Sequence, residues 1–171
     1  MKRFILPLLL FSSLIMPNER FKNTDEDAAG KSFREFLKWS FTNKKPELVA
    51  IDSSDEWKEL TPISTDYLVW IGHATYLINK DGLTILTDPV FSKRASPVRF
   101  AGPKRLIPPA IPIDQLPNID VITVSHNHYD HLDLRSLKKI YKANPNAIFL
   151  VPKGDKKRLE RRGIELSLIH I

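Results

Sequence analysis

The chain has no cysteine. That excludes disulfides, thiolate metal ligands and a lipid-modified cysteine near the amino terminus, so a bound metal would be held by nitrogen and oxygen. A long apolar run is also missing. The amino-terminal stretch from Phe4 to Met16 falls short of the 20 or so residues that a comfortable membrane span takes. No nucleic-acid module is recognisable, and the aromatic residues do not alternate with basic ones as a stacking platform requires. The net charge of +6 therefore favours anionic partners in general, with no nucleic acid expected.

What is present begins with a charged start, Lys2 and Arg3, ahead of that apolar stretch. Residues 1–17 read as a signal-like or membrane-anchor segment, without an obvious small-residue cleavage site before Pro17. This places the protein in the cell envelope, exported or membrane-associated; the alternative is an apolar helix packed on a cytoplasmic domain. Residues 18–30 are polar and acidic, a linker. From Lys31 to Lys45, Phe33, Phe36, Leu37 and Ser40 share one helical face, with Trp39 and Phe41 beside it and five basic residues around. Such a helix suits a membrane interface, or packs on the domain with its basic side in water. With 42% hydrophobic residues, the chain of 171 can bury a core.

Chemistry concentrates in Ser125-His126-Asn127-His128-Tyr129-Asp130-His131, which holds three of the five histidines. Imidazole nitrogen and carboxylate oxygen bind zinc and related ions at roughly 2.0–2.2 Å. His126 and His128, two apart on an extended segment, point the same way and can close on one ion. Asp130 and His131 follow at once and can turn toward a second. Two ions roughly 3.5–4 Å apart clamp the attacking and leaving oxygens of a hydrolytic displacement. The competing reading is a histidine-rich surface tract that binds metal adventitiously.

The flanks favour a built site. Val121 to Val124 reads as a buried strand. Asp133 caps a helix carrying Leu134, Leu137, Ile140 and Tyr141 at helical spacing, and Asn144-Pro145 stops it. The motif thus occupies a loop at the carboxyl end of a strand, the usual place for sites in α/β sheets.

Upstream, Tyr67 to Ile71, Tyr76 to Asn79 and Leu83 to Thr87 read as strands, the last two joined by an Asp81-Gly82 turn. His73 falls in the turn after the first, either near a cleft or hydrogen-bonded under the sheet. Asp88 ends the third strand and reads as a group that orients a ligand histidine. Phe91 to Pro117 contains six prolines and reads as a long ordered loop. Its Arg94, Arg99, Lys104 and Arg105 either meet a phosphate or form an ordinary basic surface.

The H-x-H-x-D-H pattern resembles the signature of the metallo-β-lactamase-fold hydrolases. Further blocks are Trp70 to Thr75, Leu86 to Ser92, Arg94 to Pro97, Gly102 to Arg105 and Ser125 to Asp133. In that order they resemble the N-acyl-phosphatidylethanolamine-hydrolysing phospholipase D family and its bacterial relatives, over roughly residues 30 to 165. The resemblance implies an α/β fold, the αββα sandwich of two similar halves with metals in the cleft between, and residues 31–171 form the amino-terminal part of that domain, only its first half being present.

By the same resemblance His126 and His128 serve a first zinc, and Asp130 and His131 a second. Asp130 also orients the attacking water as the catalytic carboxylate. The family's further histidine, bridging aspartate and last histidine have no match, and residues 166–171, including His170, resemble no part of it and read as a non-native tail. The implied activity is zinc-dependent phosphodiester hydrolysis, of N-acylphosphatidylethanolamine or a related lipid. Two alternatives stand beside it, a sugar-phosphate lactonase of the same fold and an inactive fragment. Expected partners are a phospholipid or other phosphodiester substrate and a membrane surface. An uncovered apolar sheet face would favour oligomers. Tyr129, between the ligands, faces either substrate or sheet.

Overall fold

Alternation decides the central strands. In β2 (Thr75–Lys80), Thr75, Leu77 and Asn79 are buried while Tyr76 and Ile78 are half-buried and Lys80 is exposed, so one face turns to the core. β1 (Tyr67–Gly72) and β3 (Leu83–Thr87) flank it, both antiparallel to it. Asp81 and Gly82 have φ of 51° and 81°, and two positive φ values in a two-residue loop match the right-handed twist of a hairpin. The computed structural model describes residues 32–42, 56–60 and 66–165. The expected segments 1–17, 18–30 and 166–171 lie outside them.

β4 (Val121–Thr123) runs parallel to β3, and β5 (Ile148–Leu150) parallel to β4. The result is a five-stranded mixed sheet in the order β1-β2-β3-β4-β5. This topology positions the site. Because β1 and β3 are each antiparallel to β2, and β4 and β5 follow β3, the carboxyl ends of β1, β3, β4 and β5 all reach one sheet edge. Among the described residues, their following loops carry every histidine and Asp88.

The crossover from β4 to β5 contains α3 (Leu134–Ala143), whose Leu137 and Ile140 are buried. They pack with Ile71, Leu77, Leu86, Ile122 and Phe149 of the sheet and Leu159 of α4 (Lys156–Glu160) in one core cluster. Each fully buried side chain of this kind contributes about 1.5–3 kcal/mol relative to exposure. The Asp133 side chain accepts hydrogen bonds from the backbone N–H of Arg135 and Ser136 at 3.1 and 3.4 Å, as an N-cap should. At the other end Asn144 donates its backbone N–H to Ile140 and accepts from Ile119.

The proline-rich loop after β3 is pinned rather than free. Ala95 donates to the carbonyl of Pro103 and Arg105 to that of Lys93, a small antiparallel bridge. Gly102, at φ 95°, makes its bend possible: a Cβ there would stand 2.6 Å from Cβ of Ser96. Arg105 reaches under the site edge and donates to the carbonyl of Val90. Burial lowers its pKa, against the opposing charge of Asp133.

The chain divides into two units, Met1–Glu47 and Leu48–Ile171. The described part of the first is α1 (Phe33–Thr42), opened by a capping box in which Glu35 accepts from the Ser32 backbone N–H and Ser32 Oγ accepts from that of Glu35. Trp39 and Phe41 are exposed. A short α2 (Trp57–Leu60) precedes β1 in the second unit. Among the described residues no helix is long and apolar enough to cross a membrane.

Candidate metal centre

Asp88 directly follows β3 with φ 36°, and His73 sits in the β1–β2 turn with φ 53°. A left-handed backbone is uncommon for residues with a Cβ, and both positions are locked by partners. The Asp88 backbone N–H donates to Thr123 of β4 at 2.8 Å, and its carbonyl accepts from Thr75 Oγ1 of β2 at 2.7 Å. Trp70 Nε1 donates to the carbonyl of His73 at 2.9 Å. Strand ends thus aim a carboxylate and an imidazole at the same edge.

The Asp88 carboxylate accepts from Ser125 twice, from the backbone N–H to Oδ1 and from the hydroxyl to Oδ2, both at 2.7 Å. Its Oδ2 also stands 2.8 Å from His131 Nδ1. With Ser125 Oγ donating to Asp88, its lone pair accepts from His126 Nδ1 at 3.0 Å. The network therefore assigns protons to Nδ1 of both His126 and His131 and leaves both Nε2 lone pairs outward. A carboxylate or hydroxyl behind the ring is how proteins orient metal-binding histidines.

The outward atoms gather. His126 Nε2 and His128 Nδ1 are 3.1 Å apart. His73 Nε2 lies 3.1 Å and His131 Nε2 3.7 Å from Asp130 Oδ2. One ligand atom from each of His73, Asp130 and His131 falls within 4.8 Å of the others. The His126 and His131 ring centroids are 4.0 Å apart, which joins the two groups. Ligands around a tetrahedral ion bound at about 2.1 Å stand roughly 3.4 Å from each other, so this donor set fits divalent metal.

Charge supports the same use. Burial, then the neighbouring His131 and His128, lowers the pKa of His126. For Asp130 burial pushes upward, but its own backbone N–H, His131 and His73 hold it below the usual value. Both shifts favour the state that binds a cation.

The four expected residues His126, His128, Asp130 and His131 are thus brought together, with Asp88 behind His131. His73 is the residue the sequence left undecided. It is half exposed rather than tucked under the sheet, and its ring is 5.1 Å from that of His131. Its position after an edge-directed strand was the signal available. Tyr129 is exposed. His170 lies outside the described residues.

Known proteins bear on this centre. The family model described as "Beta-lactamase superfamily domain" matches residues 84–170. The chain is 46% identical over 98 residues to N-acyl-phosphatidylethanolamine-hydrolyzing phospholipase D 1 of Caenorhabditis elegans, covering 57% of this chain and 28% of that protein. It is 36% identical over 66 residues to a UPF0173 metal-dependent hydrolase of Hyperthermus butylicus, 39% of this chain and 24% of that one. Among solved structures, CmlA, a diiron beta-hydroxylase from Streptomyces venezuelae, aligns at 28% identity and TM-score 0.48 over 65% of this chain and 21% of that one. The chain spans about a quarter of the length of the curated relatives it matches. With the family model running from the third strand past the last described helix, over half of its length, this chain belongs to the beta-lactamase superfamily.

Proposed function

We propose that the chain carries the ligand-bearing part of a metal-dependent hydrolase acting on a phosphodiester. The observation that carries this reading is the convergence of His73, His126, His128, Asp130 and His131 on one sheet edge, with Asp88 behind His131. Nitrogen and oxygen donors without thiolate suit zinc, the ion we assign. The residues that would hold it are His126 and His128 on one side and His73, Asp130 and His131 on the other. When bound, such a metal lowers the pKa of a water toward neutrality and stabilises charge growing on phosphoryl oxygens.

The chain's own residues prepare that chemistry. Asp88 and Ser125 hold two imidazoles with Nε2 outward, so the ring orientation and tautomer that a metal needs are set before it binds. Asp130, ionised at neutral pH, orients the attacking water. Similarity to the phospholipase D relative supports a phospholipid such as N-acylphosphatidylethanolamine as the substrate.

The test is hydrolysis of bis(p-nitrophenyl) phosphate, N-acylphosphatidylethanolamine and a lactone panel by zinc-loaded protein. Phosphodiester turnover that H126A and D130A each lower at least a hundredfold supports the reading. Lactone turnover alone, or phosphodiester turnover indifferent to both substitutions, refutes it.

A further inference from the structure

Beside the histidine cluster, on the same sheet edge, lies a cleft of about 130 Å³ lined by Arg94, Arg135, Arg158 and Arg162 together with Asn127 and Tyr129 of the metal-motif loop. Four separate elements supply the guanidinium groups: the loop after β3, the first turn of α3, α4 and the turn that follows it. Against them the lining offers one carboxylate, Asp133. That carboxylate is already engaged by Ser92, Arg135 and Ser136 backbone N–H groups and the Ser136 hydroxyl.

How the arginines are held matters more than their number. Arg94 donates to the carbonyl of Gly102 at 2.6 Å, and Arg135 to those of Ser96 and Pro97 at 3.1 and 3.3 Å. Neutral carbonyls fix a guanidinium without cancelling its charge, and each fork keeps further N–H donors. Arg158 pairs with Asp155 at 3.3 Å. Arg162 is exposed and, among the described residues, has no ionic partner. Like charges gathered in a concave site raise the local concentration of anions. A planar carboxylate is satisfied by one fork, whereas a tetrahedral phosphate presents oxygens in several directions and suits several.

We propose that the Arg94, Arg135, Arg158 and Arg162 cleft binds the phosphate group of a phosphate ester, at a site separate from the histidine cluster. The alternation of Ser125 to Tyr129 supports the separation. His126 and His128 meet at the cluster, whereas Asn127 and Tyr129 line the cleft. A ligand held there contacts the same loop that carries the metal-binding residues.

The test uses the full chain in chelator, so that metal chemistry does not enter and the outcome is independent of the hydrolase reading. Calorimetric titration with inorganic phosphate is expected to saturate. R162Q should weaken it about tenfold and R158Q/R162Q further, with unchanged melting temperature for R162Q, while H126A/H128A retains it. Flotation with phosphatidic acid vesicles against phosphatidylcholine vesicles identifies the source. Retention that phosphate displaces assigns a lipid headgroup, and saturation by phosphate without retention assigns a soluble ester. Absence of saturable binding, equal affinity in R162Q, or loss in H126A/H128A instead would overturn the proposal.

Discussion

Oδ2 of Asp88 stands 2.8 Å from Nδ1 of His131, across 43 positions of sequence. The carboxylate is buried at the end of β3 and the imidazole sits in the loop after β4, so the contact depends on the parallel pairing of those two strands. It fixes which nitrogen of His131 faces outward. Asp88→Asn should therefore keep the fold and lower metal affinity about 10–100-fold, measured by competition with a chromogenic chelator. Unchanged affinity would mean that His131 is oriented by something else.

His73 is expected to matter through the cluster and not through the sheet. Its side chain is 53% exposed, and Nε2 is 3.1 Å from Asp130. His73→Ala should weaken metal binding by about tenfold while shifting the urea midpoint little, since exposed positions rarely alter stability by more than about 0.5 kcal/mol. A large loss of stability with intact metal binding would restore the structural reading.

Metal binding should depend on pH with a defined sign. The folded pKa of His126 is depressed below 6.5, and that of Asp130 below 3.8. The unfolded chain holds the extra proton in each window, so the depressed groups contribute stability above their unfolded values. It is lost as pH falls through the folded ones. Affinity for cobalt, followed by its visible absorption, should hold from pH 8 to near 6.5 and fall below that as His126 protonates. A midpoint above 6.5 would contradict the assignment to His126.

Asp133 joins the loop to the helix. Its oxygens receive the N–H groups of Arg135 and Ser136 at the start of α3 and that of Ser92 at 2.9 Å. Asp133→Ala removes an N-cap worth about 0.5–2 kcal/mol and leaves the part-buried Ser92 N–H unpaired, which costs about 1–3 kcal/mol. A destabilisation of roughly 1.5–5 kcal/mol in urea unfolding is expected, with metal affinity less affected than in Asp88→Asn.

β1 to β4 and α3 are readable from residues because each leaves a local mark: alternation in Thr75 to Lys80, positive-φ turn residues at Asp81-Gly82, and a capping aspartate before Leu134, Leu137 and Ile140. β5 leaves none. Ile148–Leu150 is three residues long and becomes a strand through pairing with β4, a tertiary effect that no local period announces. α4 buries only Leu159, so it shows no apolar stripe. The ligand run was legible since its residues are nearly consecutive, whereas His73 meets Asp130 across 57 positions and needed the sheet to be assembled first. Of the cleft arginines, Arg94 alone could be singled out, because Arg135, Arg158 and Arg162 resemble any solvated helix or turn residues until the edge is built.

The existence of the metal centre is decided by the metal content of the purified chain after zinc loading and exhaustive dialysis, wild type beside H126A/H128A, by elemental analysis with circular dichroism as the fold control. Stoichiometric zinc is expected in the wild type, with its loss in the variant at unchanged secondary structure. Equal zinc in both, or none in a folded wild type, would contradict a metal centre built from the His126 to His131 loop.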